Sequence, residues 1–230
     1  MQTIQKLVSK SVSQIAERST SGEVPTLRGP LSESWSAEIA NVKTLGEPLL
    51  EKMVKESTRF LAEIQSRRCP PRWLSFVGPT GTGKSMVARM VFRAIKHSLI
   101  YFSPGYGITL ADQCYLARWP NMVKEMKTGD FSTSENLIEF EEKWDGSKGP
   151  TITYALIDDI GQTEDMQKAY LVGALGRIAD MRLGTWTIWT ANLSLDQIGD
   201  QLDRRISSRM LRDGNVVVEL PADFPDYNLR

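Results

Sequence analysis

Apolar positions along this chain recur at two different periods, and the switching between them is the main clue to its architecture. From 45 to 65, Leu49, Leu50, Met53, Val54, Phe60, Leu61 and Ile64 fall three and four apart with Ser57 on the same face, which predicts an amphipathic helix. ArgArgCysProPro closes it, because proline offers no N–H to a helix interior. Beyond that point short apolar runs alternate with longer helical stretches. Strands are predicted at 73–77, 98–102, 153–157, 185–190 and 216–220, and helices over 84–97, 110–127, 134–144, 164–181 and 195–212. Apolar strands separated by amphipathic helices predict an α/β fold, a parallel sheet sandwiched between helices.

The first 45 residues are different. Ile4, Leu7, Val8, Val12, Ile15 and Ala16 fit one small amphipathic helix over 4–16, while SerThrSerGly at 19–22, Pro25, Gly29 and Pro30 read as linker. The predicted organisation is therefore residues 1–45 as a helical segment and linker, which docks a partner or forms a frayed tail, and 46–230 as the main domain.

Composition narrows the chemistry. Across 230 residues, 28 basic and 28 acidic side chains cancel, so the chain lacks the excess positive charge of a histone-like nucleic-acid binder. The stretch 130–165 holds ten carboxylates against Lys143 and Lys148, an acidic face unsuited to DNA. Cys69, Cys114 and the single histidine, His97, cannot assemble a four-ligand zinc site, and the two cysteines read as reduced thiols. The sequence shows neither a long apolar span nor a secretory signal, so the expected location is cytoplasmic, away from membranes.

Gly78, Pro79, Thr80, Gly81, Thr82, Gly83, Lys84 and Ser85 fit GxxxxGK[ST] in full, after a predicted strand and before a predicted helix that begins with Met86 close to its start. Glycines let the backbone curl so that consecutive N–H groups face phosphate oxygens, and the helix adds its positive N-terminal dipole. Lys84 then reaches the β- and γ-phosphates and Ser85 offers its hydroxyl to Mg²⁺. The partner carboxylates come from the end of the 153–157 strand: Asp158 to hold Mg²⁺, Asp159 to orient and deprotonate an attacking water. An AspAsp pair also fits a turn or helix cap. The next apolar strand delivers Asn192 at its carboxyl end, where open parallel sheets bind ligands; Asn192 equally fits a cap for the helix that follows. ATP and Mg²⁺ are the expected cofactors.

These motifs are followed by ArgArgIleSerSerArgMet at 204–210 and AspTyrAsnLeuArg at 226–230. In this order, over about 70–230, the series resembles the AAA+ ATPases of the DnaC-like helicase-loader and IstB-like transposition-helper group. The resemblance implies a P-loop NTPase (AAA+) fold without a C-terminal helical lid, Asn192 as sensor 1, and Arg209 as an arginine finger reaching a neighbouring subunit's nucleotide, with Arg205 as a second basic position. It implies a homo-oligomer with slow, assembly-dependent ATP hydrolysis. It also implies action on DNA with a replicative helicase docked through the N-terminal segment, or alternatively a transposase as client. Asp159 stands where many AAA+ proteins carry glutamate. Arg204, Arg205, Arg209 and Arg212 also fit a plain solvated basic face. A P-loop kinase would need an acceptor pocket that 100–150 does not announce, and a non-hydrolysing nucleotide-gated module shares the same motifs.

Single-stranded DNA is a further expected partner. Members of the group contact it from helices, and Arg118, Lys124 and Lys127 around Tyr115 and Trp119 would combine backbone attraction with base stacking. The competing reading makes Tyr115 and Trp119 a core-facing pair with the lysines on the wet side.

Overall fold

The computed structural model describes residues 38–39, 41–66, 69–98, 114–142, 148–161, 169–212 and 214–227. The helix expected over 4–16 and most of the first 45 residues lie outside these. The elements in chain order are α1 (Pro48–Ser66), β1 (Trp73–Val77), α2 (Lys84–Ser98), β2 (Cys114–Arg118), α3 (Trp119–Lys127), α4 (Ser132–Ile138), β3 (Phe140–Glu142), β4 (Lys148–Pro150), β5 (Tyr154–Ile160), α5 (Ala169–Met181), β6 (Trp186–Ala191), α6 (Leu195–Ile198), a π-helical turn (Gly199–Asp203), α7 (Arg204–Met210) and β7 (Val216–Glu219). Five strands form one parallel sheet in the order β2-β5-β6-β1-β7, and β3 and β4 pair separately as an antiparallel ribbon.

Strand alternation sends successive side chains to opposite faces, and each face carries its own core. Leu74, Phe76, Leu156, Ile188 and Val218 meet α1 and α2 on one side; Trp73, Val77, Ile157, Trp189 and Ala191 meet α3, α4, α5 and α7 on the other. Phe60 of α1 stands edge-on to Trp186, ring centroids 5.1 Å apart, a geometry worth about 1 kcal/mol beyond the burial itself. Ile39, almost fully buried, and Val42 join the first core, so the packed unit begins ahead of residue 46.

Three predicted elements are corrected. The expected helix over 110–127 is a strand followed by a helix: Cys114–Arg118 pairs in register with Tyr154–Asp158, and Pro120 opens α3, the one turn where its missing N–H costs nothing. The helix expected over 134–144 ends at Ile138, and Phe140–Glu142 turns to pair antiparallel with Lys148–Pro150. The long helix over 195–212 is broken at Asp203, whose extended backbone and carboxylate, accepting from the Arg205 N–H at 2.8 Å, start a new helix. Ser98 belongs to α2, and the rest of the strand expected at 98–102 lies outside the described residues.

Behind the site sits a buried arginine. Arg182, with no exposed surface, donates to the carbonyls of Ile152 (2.6 Å), Thr153, Leu137 and Trp186 and to Thr187 Oγ1, and its carbonyl accepts from Trp73 Nε1. Burial lowers its pKa to about 10, still far above neutrality. It cross-links the amino ends of β5 and β6, the opposite end of the sheet from the loops described next.

Candidate functional site

The carboxyl ends of β1, β5 and β6 converge on one region. From β1 the chain enters the loop 78–83 through Gly78, whose φ of +127° excludes other residues and where a methyl group would run into the Leu220 carbonyl. The Gly78 N–H donates to the Leu193 carbonyl at 3.0 Å, tying the loop to the segment after β6. Lys84, the first residue of α2, is buried and folds back over the loop, donating to the Pro79 carbonyl and to Thr82 Oγ1. Burial lowers its pKa to about 8, an effect that Asp159 and then Asp158 partly offset.

At the end of β5 the ladder slips: Ile157 pairs with Trp189 and Ile160 with Ala191, so two aspartates oppose one threonine. Thr190 uses its hydroxyl twice, donating to Asp158 Oδ1 at 2.7 Å and accepting from the Asp159 N–H at 2.8 Å. Asp159 is left-handed, φ +67°, a conformation that aspartate tolerates better than glutamate because its short side chain can bond locally. That gives a physical reason for aspartate at this position. Its Oδ1 accepts from Asn192 Nδ2, and Asn192 is seated against Gly161.

Asp158 itself is fully buried and its other oxygen accepts from Arg89 of α2, through Nε at 2.8 Å and Nη2 at 2.6 Å. Ser85 and Asp158 supply an all-oxygen hydroxyl and carboxylate set, which suits Mg²⁺ rather than a soft metal. The donor chemistry is compatible with such a cation, and Arg89 occupies Asp158 Oδ2.

Two cavities adjoin here. One of about 510 Å³ is lined by Gly78, Pro79, Thr80, Asp159 and Asn192 with Gln197 and others; the second, about 230 Å³, is lined by Gly81, Thr82, Gly83, Lys84, Ser85 and Met86 with Asn192 and Tyr227. Every residue expected to bind nucleotide borders one of them. Asp158 lies behind, reached through Arg89 and Thr190.

The arginines expected at a subunit boundary are spread out. Arg209 is mostly buried and ion-paired with Asp180 of α5, while its Nε and Nη1 are buried without a hydrogen-bond partner. Arg205 is spent on Asp203, its Nε and Nη2 both on the carboxylate, which holds the Asp203 pKa below the usual carboxylate range. Arg204 is 88% exposed and pairs loosely with Asp200 at 3.7 Å. For DNA contact, Arg118, Lys124 and Lys127 are exposed, but Trp119 is wholly buried in the second core and presents no ring face to a base. Tyr115 is on β2, not on a helix with Trp119, and reaches Thr133 at 3.4 Å.

Arg89, Thr190 and the 226–227 segment were not singled out by sequence as parts of the site. Thr190 lies in the predicted strand 185–190 and Asp226-Tyr227 in the AspTyrAsnLeuArg stretch, neither with a role of its own; Arg89 has no local signal, since only the folded sheet brings α2 beside the end of β5.

No protein-family model and no curated protein sequence matches the chain. Among solved structures it is similar to a DNA replication initiation factor (TM-score 0.53, 15% identity, 79% of this chain and 48% of that one) and to DnaI (TM-score 0.50, 19% identity, 80% of this chain and 93% of that one). AMPPCP-bound DnaA from Aquifex aeolicus is also similar, at a TM-score of 0.46 and 17% identity over 73% of this chain and 45% of that one. The chain thus spans about half the length of the initiation factor and of DnaA. Together with the strand order and the phosphate loop, the likeness shows the fold, an α/β P-loop architecture of a parallel sheet between helices.

Proposed function

We propose that this chain is an ATP-dependent AAA+ assembly protein acting on DNA, a loader for a replicative helicase. The observation that carries the reading is the convergence of the 78–85 loop, Asp159 and Asn192 on adjoining cavities at the carboxyl end of a parallel sheet, backed by Asp158. The motif order that resembles DnaC-like loaders and the fold shared with DnaI support the loader assignment over other P-loop chemistries.

In this reading the backbone N–H groups of 78–83 and the Lys84 ammonium hold the β- and γ-phosphates. Asp159 faces the larger cavity and accepts the proton of a water that Asn192 helps to place. Bound Mg²⁺ would draw charge from the phosphate oxygens, with Ser85 and Asp158 as its protein partners. Arg209 acts in trans only after leaving Asp180, and Arg118, Lys124 and Lys127 supply the positive charge for single-stranded DNA.

Equilibrium titration of the full chain with ATP tests the centre of this reading: wild type binds and Lys84→Ala binds far more weakly. Equal binding by the two would overturn it. Phosphate release without an acceptor, stimulated by single-stranded DNA, separates an ATPase from a kinase. Capture by the full chain of a replicative helicase rather than a transposase decides the client.

A further inference from the structure

The segment after β7 returns to the phosphate loop, and the loop is shaped to receive it. The Tyr227 N–H donates to the Gly81 carbonyl at 2.7 Å. A methyl group on Gly81 would collide with the Asp226 carboxylate, and one on Gly83 would touch the Tyr227 ring, 3.7 Å from Cγ. Gly81 and Gly83 also carry φ of +76° and +86°, so these two glycines serve the loop's curl and the approach of a second segment at once.

We propose that Tyr227 forms the nucleoside side of the site, with its ring as the surface on which the base or ribose of a bound nucleotide rests. The inference rests on the nucleotide reading of the 78–85 loop. With Lys84 at the β- and γ-phosphates, the γ end is marked by Asp159, which lines the larger cavity, and by Asn192, which lines both where they meet. The remaining phosphate and the nucleoside must then leave past the start of α2, where the smaller cavity runs between Ser85, the exposed Met86 and Tyr227. Tyr227 is the one aromatic residue lining either cavity among the described residues. An aromatic face is sequence-tolerant, so it contributes affinity for a nucleoside without choosing strongly among bases.

Calorimetric titration of wild type, Tyr227→Ala, Tyr227→Leu and Tyr227→Phe with ATP, ADP and inorganic tripolyphosphate tests this. Loss of the ring should weaken ATP and ADP about tenfold or more, as removal of a base-stacking aromatic does elsewhere, in both Tyr227→Ala and Tyr227→Leu. Tyr227→Phe should stay within about twofold of wild type, and tripolyphosphate should bind all four proteins alike. The leucine variant keeps apolar bulk over Gly83 and serves if the alanine protein does not fold. An equal loss for ATP and tripolyphosphate would make Tyr227 a mere prop for the loop and overturn the proposal. So would tighter ATP binding by Tyr227→Ala, which would make the ring an obstruction, and so would unchanged affinity. Failure of the underlying nucleotide reading looks different: wild type would then bind neither ATP nor tripolyphosphate.

Discussion

Arg89 and Asp158, 69 residues apart in sequence, meet through two hydrogen bonds to one carboxylate oxygen, Oδ2, while the Thr190 hydroxyl holds the other, so both oxygens of the proposed Mg²⁺ carboxylate are engaged by the protein. Asp158 has no exposed surface and Arg89 is about a third exposed, so the pair is only partly screened. Removing the arginine leaves a buried charge with the Thr190 hydroxyl as its one remaining side-chain hydrogen-bond partner among the described residues, and Lys84 as a nearby opposite charge. Arg89→Ala should therefore lose about 2 kcal/mol of stability without ligand, below the usual penalty for breaking a fully buried pair because of that exposure. The same variant should reach half-saturation of ATP binding at several-fold lower Mg²⁺, since the cation no longer competes with a guanidinium. Urea unfolding and a Mg²⁺ titration at fixed ATP check the two halves, and an unchanged Mg²⁺ midpoint would show that Arg89 and the cation do not compete.

Thr190 is the hinge of the bulge, because a single hydroxyl sets the orientation of both aspartates. Thr190→Val keeps shape and burial but removes one donor and one acceptor, leaving Asp158 Oδ1 and the Asp159 N–H without their partner. The expected cost is about 2 kcal/mol in unfolding free energy. On the proposed function, hydrolysis should fall more than ATP affinity, since that reading gives Asp159 the attacking water and 78–85 the phosphates. Loss of affinity with hydrolysis per bound ATP intact would remove Thr190 from the positioning of Asp159.

What could be read from the chain follows from how local each feature is. The loop 78–85 is legible because its glycines, lysine and serine act through adjacent backbone; β1, β5 and β6 are legible because strands buried on both faces are mostly apolar, and the edge strand β7 because of its Val216–Val218 run. The stretch 110–127 misleads because Tyr115 and Trp119, four apart, satisfy helical spacing while one is on an edge strand and the other opens a helix. Pro120 was the available marker of that boundary. The pairing of Arg89 with Asp158 and the descent of Tyr227 onto Gly81 and Gly83 depend on the sheet order, which no window of sequence contains.

Lys84 gives the site a pH dependence with a defined sign. Its folded-state pKa is lowered from 10.5 to about 8, with burial the largest cause, so between these values the unfolded chain holds more protons than the folded one. This residue's contribution to stability therefore rises with pH across that window. For ligand binding the sign reverses: the charged ammonium attracts phosphate, and a bound polyanion favours that form. ATP affinity should be level below about pH 8 and then fall by up to about tenfold per pH unit as binding begins to require proton uptake. Calorimetry in two buffers of different ionisation enthalpy measures that uptake directly. Lys84→Arg, which stays charged, should flatten the profile even if its affinity is lower, and a profile that falls equally in this variant would assign the dependence to another group.

Arg209 is held by Asp180 inside its own chain, and a finger that serves a neighbour must first be released. The contact is unsatisfying on one side: Nε and Nη1 of the guanidinium are buried without hydrogen-bond partners, which weakens the case for a purely structural anchor. The two partners should then behave differently on removal. Arg209→Ala should bind ATP nearly as well as wild type, because 78–85 and Asp158 belong to one chain, yet hydrolyse it far more slowly. Trans fingers are worth roughly 10³–10⁵ in other phosphoryl-transfer systems, and a slow parental rate would compress that range. Asp180→Ala frees the guanidinium and should leave hydrolysis unchanged or raise it. A structural ion pair predicts instead the same loss of stability and activity from either change. Mixing adds the sharper measurement: Lys84→Ala protein cannot use its own site but still carries Arg209, so adding it to Arg209→Ala protein should restore activity in mixed assemblies. If the two co-assemble and the mixture stays inactive, Arg209 acts within its own chain and the exposed Arg204 becomes the residue to test at the boundary between subunits.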